Sequence, residues 1–211
     1  FKDAYFLDRM PALIYDTQNK KSYPLPYPSL DVDFTSDVKH VVLTEGEYNY
    51  DDGSYHYHNP EIWALPQTAS GDLKLVKDLE QPHPSIVSPN GRWLLSTPQP
   101  QINPGTQLYD TTVTGSLWDL NCVIEKNDCQ PVELPVFQAG FTPNSNRLIT
   151  GYSETNEVES PLVFDVWDVS STPHKIFSSQ TPNFVPSISQ SGNLIVFRSL
   201  TYDTASAAGS F

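Results

Sequence analysis

Val87-Ser88-Pro89-Asn90-Gly91-Arg92-Trp93-Leu94-Leu95-Ser96 is the stretch on which the reading of this chain turns. An apolar residue is followed by a hydroxyl, a polar turn closed by Asn-Gly, and an apolar run. Asn-Gly between two such segments is a strong signal for a short hairpin. The same pattern is written as Phe34-Thr35-Ser36-Asp37-Val38-Lys39-His40-Val41-Val42-Leu43 and as Phe141-Thr142-Pro143-Asn144-Ser145-Asn146-Arg147-Leu148-Ile149-Thr150. It returns once more as Ile188-Ser189-Gln190-Ser191-Gly192-Asn193-Leu194-Ile195-Val196-Phe197. The hydroxyl positions Thr35, Ser88, Thr142 and Ser189 are spaced by 53, 54 and 47 residues. Self-similarity near this period marks an array in which each unit is one supersecondary element.

A second marker keeps the same rhythm. Leu117-Trp118-Asp119-Leu120 recurs as Val166-Trp167-Asp168-Val169, and more loosely as Ile62-Trp63-Ala64-Leu65 and Ile14-Tyr15-Asp16-Thr17. Its aromatic positions are spaced by 48, 55 and 49 residues, so the insertions fall in loops between the two markers. Each full unit parses as four short strands: 32–34, 40–44, 61–65 and 73–77; then 85–87, 93–97, 117–120 and 130–134; then 139–141, 147–152, 162–169 and 174–177. Residues 4–7, 12–16 and 22–25 read as the last strands of a preceding unit, and 185–204 as the first two of a following one. Such a sheet cannot bury both faces alone, whereas sheets arranged radially cover one another and protect their edges. The expected fold is all-β: a β-propeller of four-stranded antiparallel blades, three full and two partial. One domain is expected over 1–211, with blade parts 1–26, 30–79, 84–135, 138–178 and 185–204. The partial ends either join as a composite blade or belong to a slice of a larger propeller, and the slice is the favoured expectation.

These residues resemble the WD-repeat-like β-propellers, in particular the TolB-type whose blades carry a Ser-Pro-Asp-Gly-Lys/Arg turn. Ser88-Pro89-Asn90-Gly91-Arg92 and, more loosely, Thr142-Pro143-Asn144-Ser145-Asn146 match that turn, and Trp118-Asp119 and Trp167-Asp168 match the Trp-Asp signature. The resemblance covers nearly the whole chain and implies the propeller fold. No unit carries the Gly-His pair of a full WD repeat; His83-Pro84 and Val136-Phe137 stand in the corresponding lead-ins. The His–Ser–Trp–Asp hydrogen-bond network of that family is therefore expected to be missing.

Composition narrows the class. Nineteen prolines, and no stretch of about 12 residues with a 3.6 period, argue against long helices. Hydrophobic content is 38%, and the 12% of aromatic residues compensates because each buries a large area. Twelve Lys and Arg against twenty-five Asp and Glu give a net charge of −13, which repels a phosphate backbone and an anionic membrane. No apolar run is long enough to span a bilayer as a helix, so no direct membrane insertion is expected in this segment.

Cys122 and Cys129 flank the polar turn Glu125-Lys126-Asn127-Asp128 directly after the Leu-Trp-Asp-Leu strand. A hairpin there would bring them within bridging range. The expected disulfide favours an extracytoplasmic setting: periplasmic, cell-surface or secreted. With only two cysteines, a zinc site is the poorer reading.

The candidate site lies in the insertions between the second and third strands of each unit: Glu45–Pro60, Pro98–Gly105 and Ser153–Pro161. These loops are expected to share one face of the ring. The first is rich in tyrosine. Tyr48, Tyr50, Tyr55 and Tyr57, with His56 and His58, are the binding candidates, because tyrosine offers large contact area and a polar tip at low entropy cost. His56 and His58, two apart on an extended segment, could share a metal, but the surface-loop reading is preferred and no metal is assigned. Trp63, Trp93, Trp118 and Trp167 read as packing residues. No Gly-x-Ser-x-Gly elbow, Gly-rich phosphate loop or dinucleotide fingerprint occurs, so no catalytic residue or cofactor is assigned. The expected function is a non-catalytic protein-interaction or scaffold module with a protein partner. The alternative is a propeller accompanying a secreted hydrolase or peptidase domain outside this segment. A weaker third is a sugar-binding propeller.

Overall fold

The computed structural model of the chain describes residues 13–26, 31–44, 46–49, 54–66, 71–80, 85–97, 102–103, 108–109, 113–126, 128–155, 161–181, 184–189, 191–192 and 195–199. In chain order the strands are β1 (Leu13–Asp16), β2 (Lys21–Pro24), β3 (Asp31–Phe34), β4 (His40–Thr44), β5 (Gly46–Asn49), β6 (Ser54–Tyr57), β7 (Glu61–Ala64), β8 (Lys74–Asp78), β9 (Ser85–Val87) and β10 (Trp93–Ser96). Then come β11 (Ile102–Asn103), β12 (Leu108–Tyr109), β13 (Thr114–Asp119), a short helix α1 (Leu120–Glu125), β14 (Val132–Pro135), β15 (Gln138–Phe141), β16 (Arg147–Ser153), β17 (Leu162–Asp168), β18 (His174–Thr181), β19 (Phe184–Ile188) and β20 (Ile195–Ser199). The expected strand 4–7 lies outside the described residues.

Three four-stranded antiparallel sheets follow chain order: β3-β4-β7-β8, β9-β10-β13-β14 and β15-β16-β17-β18. They are blades 1, 2 and 3 of a β-propeller fold, as the repeat predicts. The chain divides into two compact units, 1–99 with 115–134 and 100–114 with 135–211. In the first unit blade 1 is covered on both faces. Val41 and Leu43 pack with Leu25 and Ile14 of the β1–β2 hairpin, while Val42 and Ile62 pack with Leu94, Leu120 and Val123 of the blade 2 segment. Side chains alternate across a strand, so the run Val41-Val42-Leu43 serves two interfaces at once. In the second unit Ile149, Phe164 and Val166 of blade 3 pack with Ile188 of β19.

The repeated turn has one bonding scheme. The hydroxyl of the first residue donates to the side-chain oxygen two residues on: Thr35 to Asp37 at 2.6 Å, Ser88 to Asn90 at 2.8 Å and Thr142 to Asn144 at 2.7 Å. That same oxygen accepts the backbone N–H of Lys39, Arg92 or Asn146. The fourth residue is left-handed in each turn, with φ of 53° at Val38, 68° at Gly91, 59° at Ser145 and 72° at Gly192. Local bonds of this kind explain why Ser, Thr, Asn and Asp recur here. Burial opposes ionisation of Asp37, but the Thr35 hydroxyl, the Lys39 N–H and the His40 ring outweigh it and hold its carboxyl below the usual 3.8.

Three features depart from the sequence reading. The cysteine segment is not a β-hairpin. Asp119 accepts the N–H of Asn121 and caps α1, whose Leu120 and Val123 are buried three apart on one face. The disulfide Cys122–Cys129 is present nonetheless, with a Cα separation of 6.0 Å. In the chain-entropy account, closing so short a loop contributes about 2–3 kcal/mol. The tryptophans are not equally buried: Trp93 is 3% exposed, whereas Trp63, Trp118 and Trp167 are half-buried, the first two beside the core clusters. Finally, the outer strands β8 and β18 carry a bulge at the same point, opposite Ile62/Trp63 and Val166/Trp167. The extra residues are Val76 and Ile176, both exposed, and a bulge there blunts a sheet edge.

Candidate functional site: the tyrosine hairpin of blade 1

Between the second and third strands of blade 1 the chain forms an additional two-stranded sheet, β5–β6. Its register pairs Gly46 with Tyr57, Glu47 with His56, Tyr48 with Tyr55 and Asn49 with Ser54. By strand alternation, positions 46, 48, 55 and 57 share one face and 47, 49, 54 and 56 the other. Three tyrosines therefore occupy one face, while His56 sits across from Glu47. The alternation of Tyr with polar residues, read above as a surface loop, is the period of a strand. Tyr50 lies outside the described residues, and His58 is exposed just beyond β6.

The root of the hairpin is firmly held. β4 and β7 stay paired up to Leu43 and Glu61. Thr44 is buried and shares a 2.8 Å hydroxyl–hydroxyl bond with Ser85, the first residue of blade 2. Pro60 accepts the N–H of Leu79 at 3.1 Å, and Trp63 donates its indole N–H to Glu61 at 2.8 Å.

The other two insertions differ. In blade 2 the strands part after Ser96 and Ser116, and the insertion forms a smaller hairpin, β11–β12, pairing Ile102 with Tyr109 and Asn103 with Leu108. Sequence reasoning singled out neither Ile102 nor Tyr109; the signal was a β-favouring residue on each side of the Pro104-Gly105 turn. In blade 3 the strands run on as a regular ladder to Ser153 and Leu162, and 156–160 lie outside the described residues.

Each blade also handles its tryptophan differently. Trp167 donates its indole N–H to Thr150 at 3.1 Å. Ser96 occupies in β10 the place that Thr150 has in β16, two residues after the leucine paired with the tryptophan. Yet the Ser96 hydroxyl and the Trp118 indole N–H are both buried and unbonded. The Asp of each Trp-Asp pair instead meets arginine: Asp119 with Arg92 at 3.0 Å and Asp168 with Arg147 at 2.8 Å. Below this level blade 3 holds Asp165, fully buried, its one oxygen 3.0 Å from the Lys175 ammonium and 3.4 Å from the Tyr152 hydroxyl. Burial, then the Asp165 charge, pushes the Tyr152 phenol up.

No family model matches the sequence, and no curated protein matches it either. Among solved structures the chain is similar to the β-propeller domain of the Trilobed protease from Pyrococcus furiosus, at 11% identity and a TM-score of 0.47, over 85% of this chain and 52% of that one. It is similar to TolB from Acinetobacter baumannii at 14% identity and 0.40, over 88% and 42%. A eukaryotic initiation factor gives 16% and 0.41, over 81% and 42%. The chain thus spans about half or less of the length of these three structures. What identifies the blades is their own sheet order, turn bonds and face-to-face clusters. Among the described residues no helix is long and apolar enough to cross a membrane.

Proposed function

We propose that this chain is a non-catalytic interaction module of an extracytoplasmic protein, and that the β5–β6 hairpin docks a protein partner. The observation that carries the reading is the register that gathers Tyr48, Tyr55 and Tyr57 on one face of a hairpin paired with no other strand among the described residues. Tyrosine clusters supply interface anchors because a large, stiff ring loses little entropy on contact. The Cys122–Cys129 bond supports an oxidising compartment. The charge of −13 disfavours nucleic acid as the partner.

Replacing residues 46–57 by a short turn, which leaves Thr44 and Pro60 in place, tests this. The β4–β7 ladder ends at Leu43 and Glu61, so the blade should fold unchanged, and long insertions alter loop-closure entropy only slightly. The expected result is an unaltered melting temperature, with loss of the chains that co-purify with the intact protein from its native source. Tyr55→Ala and Tyr57→Ala should each weaken capture by at least about tenfold. Full capture by the shortened chain would place the interface elsewhere.

A further inference from the structure

We propose that Asn90–Gly91, in the turn of blade 2, is a self-modification site: the chain converts Asn90 to aspartate or isoaspartate, and the folded turn is the gate that holds the reaction back. Asparagine is among the chemically labile side chains. It is most open to attack by the next backbone nitrogen when that residue is glycine, because no Cβ crowds the approach. Asn90–Gly91 is the one Asn-Gly pair in the sequence. At the same place the other turns carry Asp37-Val38, Asn144-Ser145 and Ser191-Gly192.

The reaction needs water and no other reactant. The Gly91 nitrogen attacks the side-chain carbonyl carbon of Asn90. A nitrogen–carbon bond forms, the carbon–amide bond breaks, and ammonia leaves with the Gly91 proton. Water then opens the cyclic imide at one of its two carbonyls. One opening leaves aspartate on the ordinary backbone. The other leaves isoaspartate, with the main chain rerouted through the side chain and longer by one methylene.

The turn restrains both reacting groups. Asn90 is exposed, so water reaches it. However, the Gly91 N–H donates to the Ser88 carbonyl at 2.7 Å, and the Asn90 side-chain oxygen accepts the Ser88 hydroxyl at 2.8 Å and the Arg92 N–H at 3.1 Å. Ser88 therefore grips the nucleophile with its carbonyl and the electrophile with its hydroxyl. It is itself 2% exposed, and its hydroxyl accepts the Trp93 N–H at 2.9 Å. Attack requires the Gly91 nitrogen to leave the Ser88 carbonyl and swing onto the side chain. That movement also disturbs blade 1, because the Gly91 carbonyl accepts the Ser36 N–H at 3.0 Å.

The two products are not equivalent. Aspartate fits the turn: Asp37 accepts the Thr35 hydroxyl and the Lys39 N–H in the same way in blade 1. Isoaspartate displaces Gly91, which has no slack, since even a Cβ there would fall 2.4 Å from the Phe34 carbonyl oxygen. The site thus records openings of the joint between blades 1 and 2, and the isoaspartyl product keeps that joint from closing again.

The test incubates the intact, oxidised chain in mildly alkaline buffer, native and in urea, and follows residue 90 by peptide mass spectrometry. Asn90 should convert at least about tenfold faster in urea, and the ratio of native to urea rates should match the open fraction that Gly91 amide exchange reports. Ser88→Ala, held well below its own melting transition, should convert several-fold faster than the native wild type. Should that variant not fold, the wild-type ratio still decides. Asn90→Asp should melt like the wild type at neutral pH, whereas the isolated isoaspartyl form should melt lower. Equal rates in native buffer and urea would overturn the gate. No conversion in urea would overturn the site itself, and an isoaspartyl form with an unaltered melting temperature would overturn its effect on the joint.

Discussion

The joint between blades 1 and 2 and the joint between blade 3 and the β19–β20 hairpin use the same turn in different ways. In the first, the Ser36 N–H donates to the Gly91 carbonyl at 3.0 Å, and the Ser36 hydroxyl donates to Asn121 on α1 at 3.0 Å. Gly91 lies so close to the neighbouring turn that an added Cβ would fall 2.4 Å from the Phe34 carbonyl oxygen and 2.5 Å from the Ser36 nitrogen. In the second, the side-chain amide of Asn144 donates to the Ser191 carbonyl at 2.8 Å, and a Cβ on Gly192 would first meet that amide, at 2.6 Å. One joint is backbone against backbone; the other is bridged by the Asn144 side chain, which its own turn holds through Thr142 and Asn146. The repeat thus sets where successive sheets meet, and single residues set how rigid each meeting is.

The largest expected effect follows from this contrast. Gly91→Ala combines a left-handed φ with a backbone clash and should cost more than about 3 kcal/mol. Gly192→Ala should cost less, about 2–3 kcal/mol: the Asn144 side chain and its bonds must yield in addition to the left-handed penalty, but no backbone clash arises. Urea unfolding of both variants measures the gap, and equal losses would erase the distinction between the joints. A smaller contrast separates the tryptophans. Thr150→Val strands the Trp167 N–H and should cost about 1–2 kcal/mol. Ser96→Ala removes a hydroxyl that is already buried and unbonded, so it should be neutral or slightly stabilising. A clear loss in Ser96→Ala would mean that this hydroxyl bonds Trp118 in solution.

The smallest effect sharpens the turns themselves. Blade 1 has Asp37 where blades 2 and 3 have Asn90 and Asn144. The Asp37 carboxyl titrates below its ordinary 3.8, so its contribution is present above that value and is lost as pH falls through the lower folded one. Asp168 behaves likewise: the Ser170 hydroxyl and N–H lower its value, with Arg147 adding to this. Melting temperature should therefore fall on acidification through this range, and Asp37→Asn should flatten part of that fall. Parallel pH profiles for the two proteins would show that the Asp37 bonds are not coupled to folding.

Much of the fold is legible in the sequence because its signals are local. A hydroxyl, an Asx residue two positions on and a left-handed fourth residue form a closed set of bonds, so Ser88-Pro89-Asn90-Gly91 announces its hairpin wherever it stands. The Trp-Asp strand is equally plain, since apolar residues flank its aromatic. What escapes notice depends on competition between local choices or on partners distant in sequence. Leu120–Glu125 could continue a strand; the Asp119 cap and the burial of Leu120 with Val123 make it helical instead. The bulges at Val76 and Ile176 change nothing in the alternation a reader can count. The site was half legible. The tyrosines of 45–60 stood out, but which of them share a face depends on a register that spacing alone does not give.

Native-state hydrogen exchange on the full chain tests the central claim, that a frame of repeated blades carries the tyrosine hairpin as a separable insertion. Opening free energies differ between packed strands and appended segments. The slowest amides should recur with the repeat, within 41–43, 94–95 and 148–150, the second strands of the three blades, whereas those of 46–49 and 54–57 should exchange far faster. Hairpin amides as slow as these strands, opening with them in one cooperative step, would contradict the account.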